Sequence, residues 1–255
     1  MTKAKRKILT DFLFVVIACA VALLGWTIAA KAADSEFVVP GLTTAFGALR
    51  FVLTTEQFWT GLAGTLLRCT IGFFIALGLF LITFYLSTAF YAFKRIVEPI
   101  LSALRSLPAV AVTLILIISV GQNGAPIVLG VTVIYPIMYS SARSRVATAE
   151  KELLEICRIN GASKWAVFRA VWFPCLAGGL AESLASAFSY NVKAVIGAEI
   201  LAQTAASLGM LMKLSQIYLQ PEMLVAYVIC AVVAAAVCEG ILRLALGTAF
   251  KKYVP

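Results

Sequence analysis

Ionisable side chains are scarce within the long apolar runs of this sequence, and the few that occur there carry much of its chemistry. Arg68 lies about two turns into one such run. Glu182 and Lys193 lie in another, with Glu199 near its end. A charge in hydrocarbon is costly, and it is kept where it pairs, meets water or handles a polar solute. Covalent chemistry is poorly served. The chain has no histidine, and Asp11 and Asp34, its only aspartates, sit at the ends of apolar runs. That excludes a His-based metal site, a Ser-His triad and an intramembrane aspartyl dyad, and nothing marks a Ser-Lys pair. No GxxxxGK[ST] occurs, so no phosphate-binding loop of that kind is present. The six cysteines are scattered without a CxxC and read as small hydrophobes.

Two uses of these charges stay open. Glu182 and Lys193 are close to three helical turns apart and project from one face. Lys193, with Asn191 beside it, either favours an anionic or strongly polar solute or forms a structural ion pair with Glu182 of the same or a second copy. Arg68 either snorkels or pairs. Glu199 is expected to order the segment from Leu201 to Gln220 or to act at an outer gate. Glu239, in the last apolar run, has no evident partner.

A second kind of chemistry is mechanical. A polar stretch near 149–173 separates two very apolar runs. Thr148 can cap a helix that opens with Glu150 and Glu152, acids placed where the helix dipole favours them. Gly161 ends it, since a left-handed residue costs glycine least. Ala162 follows, Ser163 can cap a second helix, and Pro174 is expected to end it, because proline disfavours helix in the residue before it. On that second helix Trp165, Phe168 and Trp172 share one face, with Arg169 beside them. The stripe packs on the protein's own spans or enters a partner's groove. Glu152 and Glu155 share one side of the first helix and meet basic residues of a partner or water.

The elements that hold these residues follow from composition. Hydrophobic residues are 62% of 255 and charged residues only 13%, far from a soluble domain. The net charge of +9 lies between apolar segments, as a topology signal and not a nucleic-acid surface. Six spans are expected, since about 20 apolar residues cross a bilayer. They run near Asp11 to Ala30, Trp59 to Ala89, two in the uncharged stretch from Ser106 to Ala142, Cys175 to Leu201, and Met223 to Leu246. Gly121-Gln122-Asn123-Gly124-Ala125-Pro126 breaks the uncharged stretch into a tight hairpin. Most Lys and Arg fall on one side, which places both termini in the cytoplasm. The first span is read as retained; a cleaved secretory signal is the alternative. The segment from Ala33 to Phe58 reads as external, with Leu42, Phe46, Leu49 and Val52-Leu53 at roughly helical spacing, an amphipathic helix that either lies on the outer surface or packs against the bundle.

The polar insert resembles the cytoplasmic signature of permease subunits of binding-protein-dependent ABC importers. That signature is Glu-Ala-Ala, three residues, Gly, nine residues, then Ile-x-Leu-Pro. Here it stands as Glu155-Ile156-Cys157, Gly161 and Val171-Trp172-Phe173-Pro174. Ile156 and Cys157 replace both alanines. Leu104-Arg105-Ser106-Leu107-Pro108 resembles the segment opening the third span, Gly121 to Gly124 its Phe-Gly-x-Gly turn, and Leu67-Arg68-Cys69-Thr70-Ile71-Gly72-Phe73 the Leu-x-Arg-x-x-x-Gly-Phe segment. Gly197-Ala198-Glu199 with Leu208-Gly209 is similar to Ala-Ala-Glu…Leu-Gly. Together these resemble the branch handling nitrate, sulfonates, taurine and thiamin-pyrimidine or riboflavin-like vitamins. Ala185 and Val192 stand where that family usually has an arginine and a tryptophan.

The resemblance implies an all-α polytopic membrane protein that is not an enzyme. Residues 1–58 would be a first span and external segment, and 59–255 a permease core with coupling helices near 149–173. It implies two cytoplasmic ATPase subunits that hold the ATP and Mg, an external substrate-binding protein, a second permease copy in a homodimer or pseudo-dimer, and no cofactor or metal in this chain. Arg68, Arg105, Pro108 and Gly121 would be structural. A stand-alone channel or secondary transporter would leave the hinged insert without a purpose.

Overall fold

The computed structural model describes residues 3–33, 35–146, 155–157 and 159–250. Among the described residues there is no strand. The principal helices are α1 (Lys3–Ala33), α2 (Leu42–Thr54), α3 (Glu56–Ala89), α4 (Tyr91–Ser106), α5 (Ala109–Val146), the short α6 (Lys164–Val167), α7 (Phe173–Ala202), α8 (Leu208–Ile217) and α9 (Pro221–Phe250). A π turn over Phe168–Trp172 joins α6 to α7. The chain forms two compact units, Met1–Thr55 with Met212–Cys230 and Glu56–Leu211 with Ala231–Pro255.

In the first unit the Trp26 indole donates to the Pro40 carbonyl at 2.9 Å. Helix α2 forms where the amphipathic segment was expected, but its buried face is Ala45, Ala48 and Val52. Phe46 is exposed, because small residues allow the closer helix approach.

In the second unit α5 packs against α3 and α7, and α7 packs on α3. Phe80, Phe84, Ile134 and Val195 are fully buried in it. Leu67, Phe74, Ile82 and Ile118 are exposed, the surface expected of helices solvated by lipid. Among the described residues four helices are long and apolar enough to cross a membrane, and a fifth if the bent pair Lys164–Ala177 and Gly179–Ala202 is one span. Six were expected, and the difference lies in α5. Its break is a single residue, Gly121, at φ 76° and ψ 174°; residues 122–126, expected as a turn, are helical. The arm Ala109–Val120 is then about 18 Å long at 1.5 Å per residue, short of the roughly 30 Å hydrocarbon core. Pro126 cannot give the Gln122 carbonyl its helical hydrogen bond. The Thr204 hydroxyl supplies it instead, at 2.8 Å.

Two further elements differ from expectation. Pro174 does not end the second helix of the insert but sits in the first turn of α7. The π turn before it supplies the slack that a missing N–H and a bulky ring require. The chain bends by 62° after that, between Ala177 and Gly179. Helix α4 lies in the connection between the second and third expected spans. It buries Val97 and Leu101, and Glu98 meets Arg143 at 3.4 Å and Lys94 at 3.9 Å.

Candidate functional site

The polar insert holds a sharp elbow. Gly161 adopts φ +63°. The Ala162 N–H bonds the Cys157 carbonyl at 3.0 Å, the six-to-one closure that ends a helix on a left-handed glycine. Asn160 adds a bond from its side-chain amide to the Ile156 carbonyl at 2.9 Å. The next helix opens on Ser163, whose hydroxyl accepts from the Ala166 N–H at 3.2 Å, satisfying one of the orphan donors of the first turn. Glu155 is exposed on the first arm. Glu152, like the expected Thr148 cap and the acids after it, lies outside the described residues.

The aromatic stripe divides its contacts. Trp165 and Phe168 stack at 5.6 Å, and the Tyr85 ring meets both edge-on, at 5.6 and 5.2 Å. The Lys164 ammonium sits 3.8 Å from the Phe90 ring centre, a close cation–π contact. Trp165 nonetheless keeps 59% of its surface exposed, and an open cavity of about 330 Å³ is lined by Trp165, Phe168, Arg169 and Phe173. Trp172 is half-buried. One side of the stripe therefore packs on the chain's own α3, and among the described residues the other faces an open cavity. Tyr85 and Phe90 had no distinguishing mark in the sequence, being two aromatics among many near a span end.

At the other end of α3 the charges that looked separate are joined. Glu199 is fully buried and its carboxylate meets the Arg68 guanidinium at 3.0 Å; the Arg68 side chain is 14% exposed. The other carboxylate oxygen accepts from the Thr65 hydroxyl at 2.8 Å and the Gly209 N–H at 3.3 Å. Arg68 also donates to the Ala205 carbonyl at 2.9 Å and the Ala206 carbonyl at 3.4 Å. Thr65 accepts from the Leu208 N–H at 2.9 Å. The loop so held is strained, with Gln203 and Ala206 at φ 50° and 46°, a conformation non-glycine residues keep only when surroundings enforce it. This network, the Glu199 lock, ties Ala205, Ala206, Leu208 and Gly209 to Thr65, Arg68 and Glu199. The pairing itself could have been found: opposite charges near the same end of two apolar runs are natural partners.

The elbow and Glu199 lie in a stretch that matches a known sequence family. The profile described as "Binding-protein-dependent transport system inner membrane component" matches residues 89–247, more than half of the chain. The chain belongs to this family. No curated protein matches it. Its fold is similar to a chain of a bacterial alginate ABC transporter solved with an alginate pentasaccharide-bound periplasmic protein, with 14% identity, 94% of this chain and 92% of that chain covered, and a TM-score of 0.62. It is also similar to a chain of the inward-facing MetNI methionine ABC transporter, with 21% identity, 73% and 93% covered, and a TM-score of 0.54.

The remaining residues of this transport component fall into two groups. Glu182 and Lys193 both lie on the exposed side of α7, and no ion pair joins them; the Lys193 ammonium lies 5.3 Å from the Tyr190 ring centre. Asn191 does not share that face. It is fully buried, and its amide donates to the Cys69 carbonyl at 2.6 Å, as a tie between α3 and α7. Glu239 has partners after all, Arg243 at 3.0 Å and Ser186 at 3.4 Å. Pro108 holds Leu107 extended at ψ 131° and so separates α4 from α5. Arg105 is exposed and lines a cavity of about 330 Å³ with Glu98, Tyr139 and Arg143.

Proposed function

We propose that this inner membrane component is the permease subunit of an ATP-driven importer. It forms the path for a small polar or anionic solute such as a sulfonate, nitrate, taurine or a vitamin precursor. An external binding protein delivers the solute, and two cytoplasmic ATPase subunits, which bind the ATP and Mg, grip the elbow near 149–173. A second copy of the chain completes the path, and both termini face the cytoplasm. The observation that carries this reading is the elbow: a left-handed Gly161 and a Ser163 cap fix two helix arms at a set angle, with an aromatic surface left open beside them. Its place within the family match supports the same reading, as does the likeness to an ABC transporter fold. ATP closure of the ATPase pair would move the elbow as a lever and tilt the spans between two access states. Lys193, exposed on α7 and in no ion pair among the described residues, supports the preference for an anion.

The test is co-purification in detergent. The wild-type chain brings down an ABC ATPase encoded with it, and Gly161→Asp, which puts a charged side chain at the left-handed hinge of the elbow, releases it. A wild-type chain that purifies without any ATPase defeats the reading. The solute is identified separately, by screening the cognate binding protein against sulfonates, nitrate, thiamin pyrimidine and flavins.

A further inference from the structure

The elbow and the Glu199 lock lie at opposite ends of α3. Tyr85 touches Trp165 and Phe168 near one end, and Thr65 and Arg68 serve the lock near the other. The distance between them is about 30 Å at 1.5 Å per residue. No proline interrupts α3. The Phe90 N–H still closes on the Leu86 carbonyl at 2.8 Å, so the Lys164 contact on Phe90 also bears on the end of this helix.

A covalent route from the elbow to Glu199 exists as well, through α6, the π turn and α7. It is built to yield. It passes a π turn at Phe168–Trp172, a proline at Pro174, and then a 62° bend between Ala177 and Gly179. Sharp bends occur at such features because the regular hydrogen-bond ladder is interrupted there, which leaves the segment less stiff than an unbroken helix. The through-space route has no such joint: the Tyr85 ring sits edge-on against both rings of a stacked pair and so takes up a displacement of either. Through the unbroken α3 that push arrives at Thr65 and Arg68, which hold residues 205–208 directly.

We infer that Tyr85 is the positioning residue through which motion of the elbow enters α3, and that α3 delivers it to the Glu199 lock and the strained loop it holds. The inference rests on the coupling reading above. A route of this kind stands only if perturbing its middle uncouples its ends.

The experiment measures amide hydrogen exchange on the complete transporter, the chain with its ATPase subunits, using ATP with vanadate as the only probe. In the wild type, ATP–vanadate changes exchange both in 155–163 and in 203–209, the latter about tenfold, the scale of a local opening equilibrium shifted by one strong contact. In Tyr85→Ala the change in 155–163 persists and that in 203–209 disappears. Tyr85→Phe, which keeps the ring, restores it. A change in 203–209 that survives Tyr85→Ala, or a Tyr85→Phe variant as defective as the alanine, overturns the inference. So does a wild type in which 155–163 responds and 203–209 does not, an outcome that leaves the coupling reading standing. Failure of the coupling reading looks different: no ATPase stays with the wild-type chain, and ATP–vanadate moves neither segment.

Discussion

The Glu199 lock and the Tyr85 joint occupy two ends of one helix and are made from unlike materials. The lock is buried, charged and directional: one carboxylate takes three donors, and one guanidinium spans the carboxylate and two backbone carbonyls. Such a network is satisfied as a whole or not at all, because an unpaired charge in a low-dielectric interior has nowhere to go. The joint is aromatic and partly open to solvent. Ring contacts are individually small, about 0.5–1.5 kcal/mol beyond their area. The difference teaches that one end is held by directional polar bonds and the other by the fit of rings, and each variant below strains one end more than the other.

The largest effect is expected from Glu199→Ala, which leaves Arg68 facing a buried void. Loss of one partner of a buried pair costs about 3–5 kcal/mol, so thermal unfolding in detergent should shift steeply downward. Replacing both partners by apolar residues of similar volume, Glu199→Leu with Arg68→Met, should recover most of that loss. A double variant no more stable than Glu199→Ala would mean that the hydrogen bonds to the loop matter more than charge balance. Next comes Gly64→Ala. A Cβ there meets the Ala206 carbonyl oxygen, backbone that cannot step aside, and overpacking of this kind costs about 1–3 kcal/mol. Its signature is faster exchange in 203–209 with the elbow unchanged. Thr65→Val removes a donor to Glu199 and an acceptor for Leu208, worth about 1–2 kcal/mol, read in the same unfolding assay. The smallest effect on global stability belongs to Ser163→Ala. A lost N-cap costs about 1 kcal/mol, but at an exposed elbow it should loosen exchange around 163–167 and leave the unfolding midpoint within error. If Ser163→Ala lowered the midpoint as far as Thr65→Val, the elbow would be part of the core and the contrast between the two ends would fall.

Much of the elbow was legible beforehand, because its features are local. A left-handed glycine and a serine cap act within four residues of themselves, so Gly161 and Ser163 could be assigned from spacing alone. The proline was misjudged for a reason of the same scale. Pro174 removes one donor, but a π turn just before it absorbs the misfit, and no simple sequence pattern announces a π turn. The single-residue break at Gly121 shows the same limit. Pro126 reads as a helix breaker until a hydroxyl 78 positions away, Thr204, satisfies the carbonyl it leaves open.

By itself the sequence determined that this chain is helical, lives in a bilayer and carries a hinged polar insert between apolar spans. Those properties follow from composition, from 1.5 Å of rise per residue and from the conformational needs of glycine and proline, none of which requires knowing what lies nearby. Tertiary structure alone decided the partners of the scarce polar groups. Arg68 met Glu199 across 131 positions, Asn191 turned inward to Cys69 while Lys193 stayed exposed, and Tyr85 came under the aromatic stripe. Helix periodicity tells which residues share a face but not what that face meets, and a buried charge or a wedged ring acquires its role only from the neighbour that packing supplies.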